Sequence, residues 1–331
     1  MLFSIITPIY KCSKETFEFL QSLTQQVYKN FEIILVEDGL EDSSKQVIEQ
    51  FKDKLNVSYH YKKNTSVSFR RNFGMSVAKG DYFVFFDSDC IIPEDYFQNV
   101  ANVINLQKID FWGGPDKDHE SFTNLQKAIN YSMTSFFTTG GIRGAKKKIG
   151  KYHPRSFNMG ISREVYEKTG GFPTVVSPGE DIIFSIQIQN AGFPANLIHE
   201  AFVYHKRKIS IKKYFKQINS FGFVRYPITL LFPDTFSIVF LLPPAYTIGL
   251  FLLLLASVLI HWAFVLPLIV HYLLIFADSL LKTRKINIAF LSIVTSFTQF
   301  CAYGSGFITA VVKRYVIGEK AFFNKYGYSK L

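Results

Sequence analysis

The stretch Tyr82-Phe83-Val84-Phe85-Phe86-Asp87-Ser88-Asp89 decides how the chain is read, because an apolar, aromatic run stops at two carboxylates one residue apart. An apolar run without polar alternation suits a strand buried on both faces, as in a parallel sheet with helices on each side. Open sheets of that kind take their ligands at the carboxyl ends of the strands. Asp87 and Asp89 there offer hard oxygen ligands to Mg²⁺ or Mn²⁺, and through the cation to the phosphates of a nucleotide. A surface turn or a helix cap is the plainer account of the same residues, since Pro93 and Glu94 signal a helix start just beyond.

The flanking sequence alternates strand and helix. Residues 3–9 form a β-type run ended by Pro8 and Tyr10, after which Ser13 opens a helix with Phe17, Leu20 and Leu23 on one face. Residues 31–36 and 57–61 predict two more strands, and the alternation is that of a doubly wound sheet with right-handed crossovers. Glu37-Asp38-Gly39 ends the second strand, where a carboxylate can accept the imide N–H of a uracil ring, or simply cap a turn. Arg70-Arg71-Asn72-Phe73-Gly74 opens a helix whose arginines can pair with a diphosphate, lie over a base, or form a solvated basic turn. Past the central strand come a helix over 97–104 and a strand over 110–114. Gly179-Glu180-Asp181 then begins a helix, a place where the dipole favours a carboxylate whether or not it does chemistry. A short strand over 201–204 ends in His205-Lys206-Arg207-Lys208.

In that order, Ser4-Ile5-Ile6-Thr7-Pro8-Ile9-Tyr10, Ile33-Ile34-Leu35-Val36-Glu37-Asp38-Gly39, Arg70-Arg71-Asn72-Phe73-Gly74, Asp87-Ser88-Asp89, Ser156-Phe157-Asn158-Met159-Gly160-Ile161-Ser162-Arg163 with Gly170-Gly171-Phe172, and Gly179-Glu180-Asp181 resemble the motifs of family 2 glycosyltransferases. The carboxyl-terminal third resembles the membrane-bound bacterial branch that builds exopolysaccharides. The resemblance implies an α/β fold: a Rossmann-like GT-A domain with a mostly parallel sheet, followed by an α-helical transmembrane region. It also implies roles. Pro8, Tyr10, Asp38 and Arg71 would hold the nucleotide, Asp87 the ribose, and Asp89 the metal, with His205 as a further metal or diphosphate contact. Glu37 departs from the Asp more common at its position. Asp181 would be the general base for the acceptor hydroxyl, and a single base without a second nucleophile implies one displacement and inversion. Gln217, Gly222, Arg225 and Tyr226 resemble a loose form of the segment that closes over the donor. The Gln-x-x-Arg-Trp pattern of processive members is absent, so one sugar per event is expected.

The net charge of +11 suits a membrane face better than nucleic acid, for which no binding signature is present. Cys12, Cys90 and Cys301 have no metal-like spacing, and an odd count fits a reducing cytoplasm. Met1-Leu2-Phe3-Ser4 runs straight into a strand, so no signal peptide is expected. Gly140-Gly141-Ile142-Arg143-Gly144 with Lys146, Lys147, Lys148 and Lys151 reads as a loop for acceptor phosphates or headgroups, or as a solvated one. Residues 209–232 predict a basic amphipathic segment in the headgroup layer. Residues 236–260 carry no charge and exceed the roughly 20 residues that cross a bilayer; Pro243-Pro244 kinks this run or marks its start. A second run ends near Leu281, making a hairpin. Lys282, Arg284 and Lys285 then put that end in the cytoplasm with the catalytic domain, at the inner membrane. The third run, 286–312, is dotted with Ser, Thr and Gln and flanked by basic residues at both ends; it crosses against the charge rule or is re-entrant. The expected domains are 1–208, 209–232 and 233–331. The expected reaction moves a sugar from a nucleotide sugar, a UDP-sugar by preference, to a lipid-linked or polysaccharide acceptor. A metal-dependent nucleotidyl- or phosphotransferase acting on a lipid phosphate, a polyprenyl-phosphate glycosyltransferase and a non-catalytic scaffold are the alternatives.

Overall fold

The computed structural model describes residues 1–39, 41–139, 152–174 and 178–328. The glycine- and lysine-rich loop expected over 140–151 therefore lies outside the described residues. The chain forms two compact units, Met1–His119 with Tyr152–Lys206, and Glu120–Lys151 with Arg207–Leu331.

In the first unit the strands are β1 (Phe3–Ile9), β2 (Phe31–Glu37), β3 (Val57–Tyr61), β4 (Tyr82–Phe86), β5 (Cys90–Ile91), β6 (Phe111–Gly113), β7 (Asp116–Lys117), β8 (Asn158–Ser162), β9 (Asn196–Leu197) and β10 (Val203–His205). Seven of them make one sheet in the order β3-β2-β1-β4-β8-β6-β9. β1 pairs in parallel with both β2 and β4, so Ile9, Glu37 and Phe86 end their strands along one edge. The quoted strand is buried on both faces, as its composition requires. Phe83 and Phe85 join Ile6, Phe172 and Phe184 on one side, while Val84 and Phe86 join Phe19, Leu20 and Phe97 on the other. Each such ring, fully buried, contributes about 1.5–3 kcal/mol.

β8 runs against both neighbours, with Asn158 opposite Phe86. Its entry segment therefore arrives at the carboxyl end of β4, where Asp87 begins. A second, small sheet in the order β5-β10-β7 pairs His205 with Cys90. That pairing sets His205 beside Asp89.

The second unit is helical. Residues 1–208 were expected as one domain, but helix Asn124–Thr134 packs in this unit. Ser132 Oγ lies 2.6 Å from Thr295 Oγ1 and 3.1 Å from Ser296 Oγ, and Tyr131 OH donates to Asp278 at 2.7 Å. Ile238–Leu259, Trp262–Thr283 and Ile286–Ile317 are long and apolar enough to cross a membrane. Pro243 and Pro244 fall in the first turn of helix Leu242–Leu259 and so mark its start. Ile286–Ile317 is one unbroken helix of 32 residues.

Ser292, Thr295, Ser296, Thr298 and Gln299 of that long helix are buried against protein, while Asn287 and Thr309 are exposed. Beyond the Ser132 contacts, Ser292 Oγ lies 2.8 Å from Ser279 Oγ, Tyr214 OH donates to Gln299 Oε1 at 2.6 Å, and Asn219 Nδ2 donates to Ser305 Oγ at 3.0 Å. Tyr214 and Asn219 belong to helix Ile211–Leu231, which buries Tyr214, Ile218 and Gly222 and leaves Lys212, Lys213 and Lys216 exposed. Glycines set the spacing. A Cβ on Gly306 would stand 2.0 Å from Asn219 O, and one on Gly222 2.0 Å from Tyr303 O. Gly306→Leu should therefore push the two helices apart and cost about 1–3 kcal/mol, the range for overpacking, seen as a lower unfolding midpoint in detergent; an unchanged midpoint would show that the helices do not meet at these glycines.

Candidate active site

The site grows from the ends of β1, β2 and β4. Glu37, the last residue of β2, is fully buried and works as a brace: Oε1 accepts from Ser44 N at 2.8 Å, and Oε2 from Ser43 Oγ at 3.0 Å and Tyr59 OH at 2.6 Å. Burial, then this bond, pushes the Tyr59 hydroxyl up to about 12. Asp38 follows. Its carboxylate accepts from Asn64 N at 2.8 Å and Thr65 N at 3.2 Å, and Arg70 Nη1 stands 3.9 Å away. Gly39 has φ +89°, and a Cβ there would touch the Tyr10 ring at 3.2 Å. Tyr10 itself is exposed, and Pro8 is partly buried beside it in sequence.

Both arginines are buried and engaged, because helix Val67–Val77 starts three residues earlier than expected. Ser66 Oγ caps it by accepting from Phe69 N at 3.1 Å. Arg70 Nη1 donates to Ile9 O at 2.9 Å. Arg71, 3 % exposed, reaches Asp87 Oδ1 through Nη2 and Glu180 Oε1 through Nη1, each at 3.1 Å. Neither forms a solvated turn. Asn72 extends the framework by bonding both the carbonyl and the N–H of Phe172 at 2.8 Å.

Asp89 Oδ1 lies 3.2 Å from His205 Nε2. The His205 ring stacks on Phe157, with centroids 4.8 Å apart, and its Nδ1 is buried without a hydrogen-bond partner. Cys90 completes a cluster whose ligand atoms all lie within 4.8 Å of one another. Burial pushes the Cys90 thiol well up, with the Asp89 and Asp87 charges adding to it, so at neutral pH sulfur is a poor ligand. What remains is a carboxylate oxygen from the turn before β5 and an imidazole nitrogen at the end of β10. That pair fits a Mg²⁺- or Mn²⁺-type cation whose other positions are filled by water and phosphate oxygens.

Glu180 and Asp181 open helix Glu180–Asn190. Asp181 Oδ2 accepts from Arg155 Nε at 2.8 Å, and Oδ1 from Ile182 N at 2.8 Å. Burial would raise this carboxyl, but the guanidinium charges of Arg155 and Arg71 outweigh it and hold Asp181 below the ordinary range. Glu180 moves the other way, because burial and the Asp181 charge exceed the pull of Arg71.

Asp87, Arg71, Glu180 and Asp181 thus form one linked group, with Asp89 two residues beyond Asp87 in the turn before β5 and His205 opposite it at the end of β10. Asp38 sits apart from it, just past β2, with Arg70. Sequence reasoning missed Arg70 beside Asp38, Glu180 on Arg71 and Arg155 on Asp181. A second arginine next to Arg71 and a second carboxylate next to Asp181 were the visible signals. Arg155 had none.

A parallel sheet with acidic and basic groups at its strand ends, over a small sheet holding a carboxylate–imidazole pair, is the GT-A arrangement of glycosyltransferases. The glycosyl transferase family 2 model matches residues 4–170, and the chain belongs to that family. An uncharacterised glycosyltransferase of Haemophilus influenzae is 30% identical over 218 residues, 63% of this chain and 71% of that protein. Glycosyltransferase AglE of Haloferax volcanii is 23% identical, over 61% of this chain and 66% of its own. Minor teichoic acid biosynthesis protein GgaB of Bacillus subtilis is 34% identical over 32% of this chain and 12% of its own. AglE, GgaB and the glycosyltransferase GlyG of Streptococcus pneumoniae, the last matched over 37% of its length, are each spanned over less than two thirds of their own length. Among solved structures, mannosyltransferase PcManGT of Pyrobaculum calidifontis, in complex with GDP-Man and Mn²⁺, superposes with TM-score 0.65 at 13% identity, over 94% of this chain and 87% of that one. S. aureus TarS follows with TM-score 0.51 at 19% identity, over 67% and 64%. At these identities the likeness is one of fold.

His205→Ala removes the imidazole without touching the carboxylates. It should weaken Mn²⁺-dependent nucleotide binding by at least the roughly 10–100-fold that loss of a metal-site partner costs, while metal-free binding stays as in the wild type. Calorimetry with and without Mn²⁺ reads the difference, and equal losses under both conditions would remove His205 from the metal site.

Proposed function

We propose that the enzyme transfers a sugar from a nucleotide-sugar donor, a UDP-sugar by preference, to a membrane-associated, lipid-linked saccharide during cell-surface polysaccharide synthesis, with inversion at the anomeric carbon. The observation that carries this reading is the linked group Asp87–Arg71–Glu180–Asp181, which ties a donor-side carboxylate to a carboxylate at a helix N-terminus.

In this reading Asp38 accepts from the base, with Pro8 and the Tyr10 ring bordering it, and Asp87 accepts from the ribose. Arg71 serves the nucleotide through Asp87 rather than by touching it, since it is buried and already shared between two carboxylates. Asp89 and His205 would hold the divalent cation, Mg²⁺ or Mn²⁺, which when bound neutralises charge developing on the diphosphate leaving group. Asp181 takes the proton of the attacking hydroxyl at whichever oxygen lone pair its two hydrogen bonds leave open. The Mn²⁺ and GDP-Man of PcManGT support a metal-dependent nucleotide-sugar site, and the name of GgaB supports a cell-surface glycan product.

The three apolar helices support an integral membrane protein, and Lys282, Arg284 and Lys285 support placing the catalytic unit on the cytoplasmic side of the inner membrane. The basic face of helix Ile211–Leu231 supports contact with anionic lipid.

Binding of UDP, GDP and dTDP to the full chain in detergent, with and without Mn²⁺, tests the donor site. One nucleotide should bind in a metal-dependent way, and Asp89→Ala should abolish that dependence. If none of the three binds with metal, the donor site is misassigned. Asp181→Asn should leave that binding intact and slow transfer of labelled sugar into lipid extracts by about 10²–10⁴-fold, the usual worth of a general base. Undiminished turnover in Asp181→Asn would instead favour a nucleotidyl- or phosphotransferase that needs no such base.

A further inference from the structure

Helix Glu180–Asn190 carries a polar stripe that the transfer reaction does not by itself require. Asp181, Ser185 and Gln189 recur every four residues and share one face. All three hold the segment 152–155 as it enters β8. Arg155 Nε donates to Asp181 Oδ2 at 2.8 Å, Ser185 Oγ donates to Pro154 O at 2.6 Å, and Gln189 Nε2 donates to Tyr152 O at 2.6 Å.

The order of these contacts is reversed along the helix, so the segment lies antiparallel on it. Two of the three contacts end on backbone carbonyls and would accept almost any sequence. The remaining one delivers a guanidinium to Asp181. With Ile182 N on Oδ1 and Arg155 on Oδ2, both oxygens are held from the protein side, which fixes the plane of the carboxylate.

We propose that Arg155 is a positioning residue: tethered through the segment that Ser185 and Gln189 clamp, it aims the Asp181 carboxylate and keeps it in the anionic form that can take a proton. The inference rests on Asp181 being the base. Among the described residues, the charges facing Asp181 are Arg155 from this segment, Arg71 from helix Val67–Val77 and Glu180 from its own helix. Of the two cations Arg155 acts more strongly, and burial opposes both. With Arg155 neutralised, Arg71 is the cation left among the described residues to offset burial and the Glu180 charge. The Asp181 carboxyl then rises and is protonated over more of the acid range. Arg155 thus restrains the strength of the base in exchange for keeping it ionised.

The test is infrared titration of the full chain in detergent, with the protonated-carboxyl band of Asp181 identified by subtracting Asp181→Asn. In Arg155→Gln the band should appear about one pH unit or more higher than in the wild type, the lower end of the effect of an adjacent opposite charge. Arg155→Lys, which keeps the charge, should bring the band most of the way back to its wild-type position. Ser185→Ala with Gln189→Ala, which keeps the guanidinium but loosens its tether, should move the band in the same direction by less. UDP and GDP binding with Mn²⁺ checks that each variant is folded; if Arg155→Gln is not, the other two variants decide. An Asp181 band at the wild-type pH in every folded variant overturns the inference. The base assignment is judged separately: if Asp181→Asn still transfers sugar, that assignment fails even where the titration shift is present.

Discussion

A buried guanidinium joins the two halves of the site. Arg71 is 3 % exposed and shares its charge between Asp87, just past the end of β4, and Glu180, which lies 109 residues from Arg71 at the start of a helix. A cation taken out of water needs its partners, and removing one side of a buried pair typically costs about 3–5 kcal/mol. The end of β4 and the helix carrying Asp181 are thus held together by a contact with little freedom to slide. The aromatic core on either side of β4 supplies the rigid base for it.

The remaining geometry follows from strand direction. β1, β2 and β4 run in parallel and deliver Ile9, Glu37 and Phe86 to one edge, the usual place for a ligand in such sheets. β8 runs the other way, so the segment leading into it lies at that same edge and brings Arg155 to Asp181. The pairing of β10 with β5 does the same for His205 and Asp89. An antiparallel strand in a parallel sheet and a three-stranded accessory sheet both serve to add side chains that the parallel strands do not carry.

In the helical unit, helix Ile286–Ile317 is apolar enough for lipid yet dotted with hydroxyl and amide groups. Those groups meet Ser132, Tyr214, Asn219 and Ser279 from three other helices, and glycines let the backbones approach closely enough for the bonds to form. Hydrogen bonds of this sort satisfy polar groups that lipid would leave unpaired. Sequence composition alone describes such a helix ambiguously, since it reports what a helix could face and not what it does face.

Much of the first unit was legible because its signals are local. An apolar run ending in carboxylates reads as a buried strand with a ligand edge, and alternating strands and helices read as a doubly wound sheet, since each depends on neighbours a few residues away. The ordered motifs marked Asp38, Arg71, Asp87, Asp89, Asp181 and His205 as candidates. What each side chain touches was another matter. That Arg71 would be shared between Asp87 and Glu180, that Glu37 would brace a loop, that helix Asn124–Thr134 would leave the first unit, and that Arg155 would sit on Asp181 all depend on contacts between residues far apart in the chain. Charge pairing and close packing choose such partners in three dimensions, and only the folded structure brings them within reach.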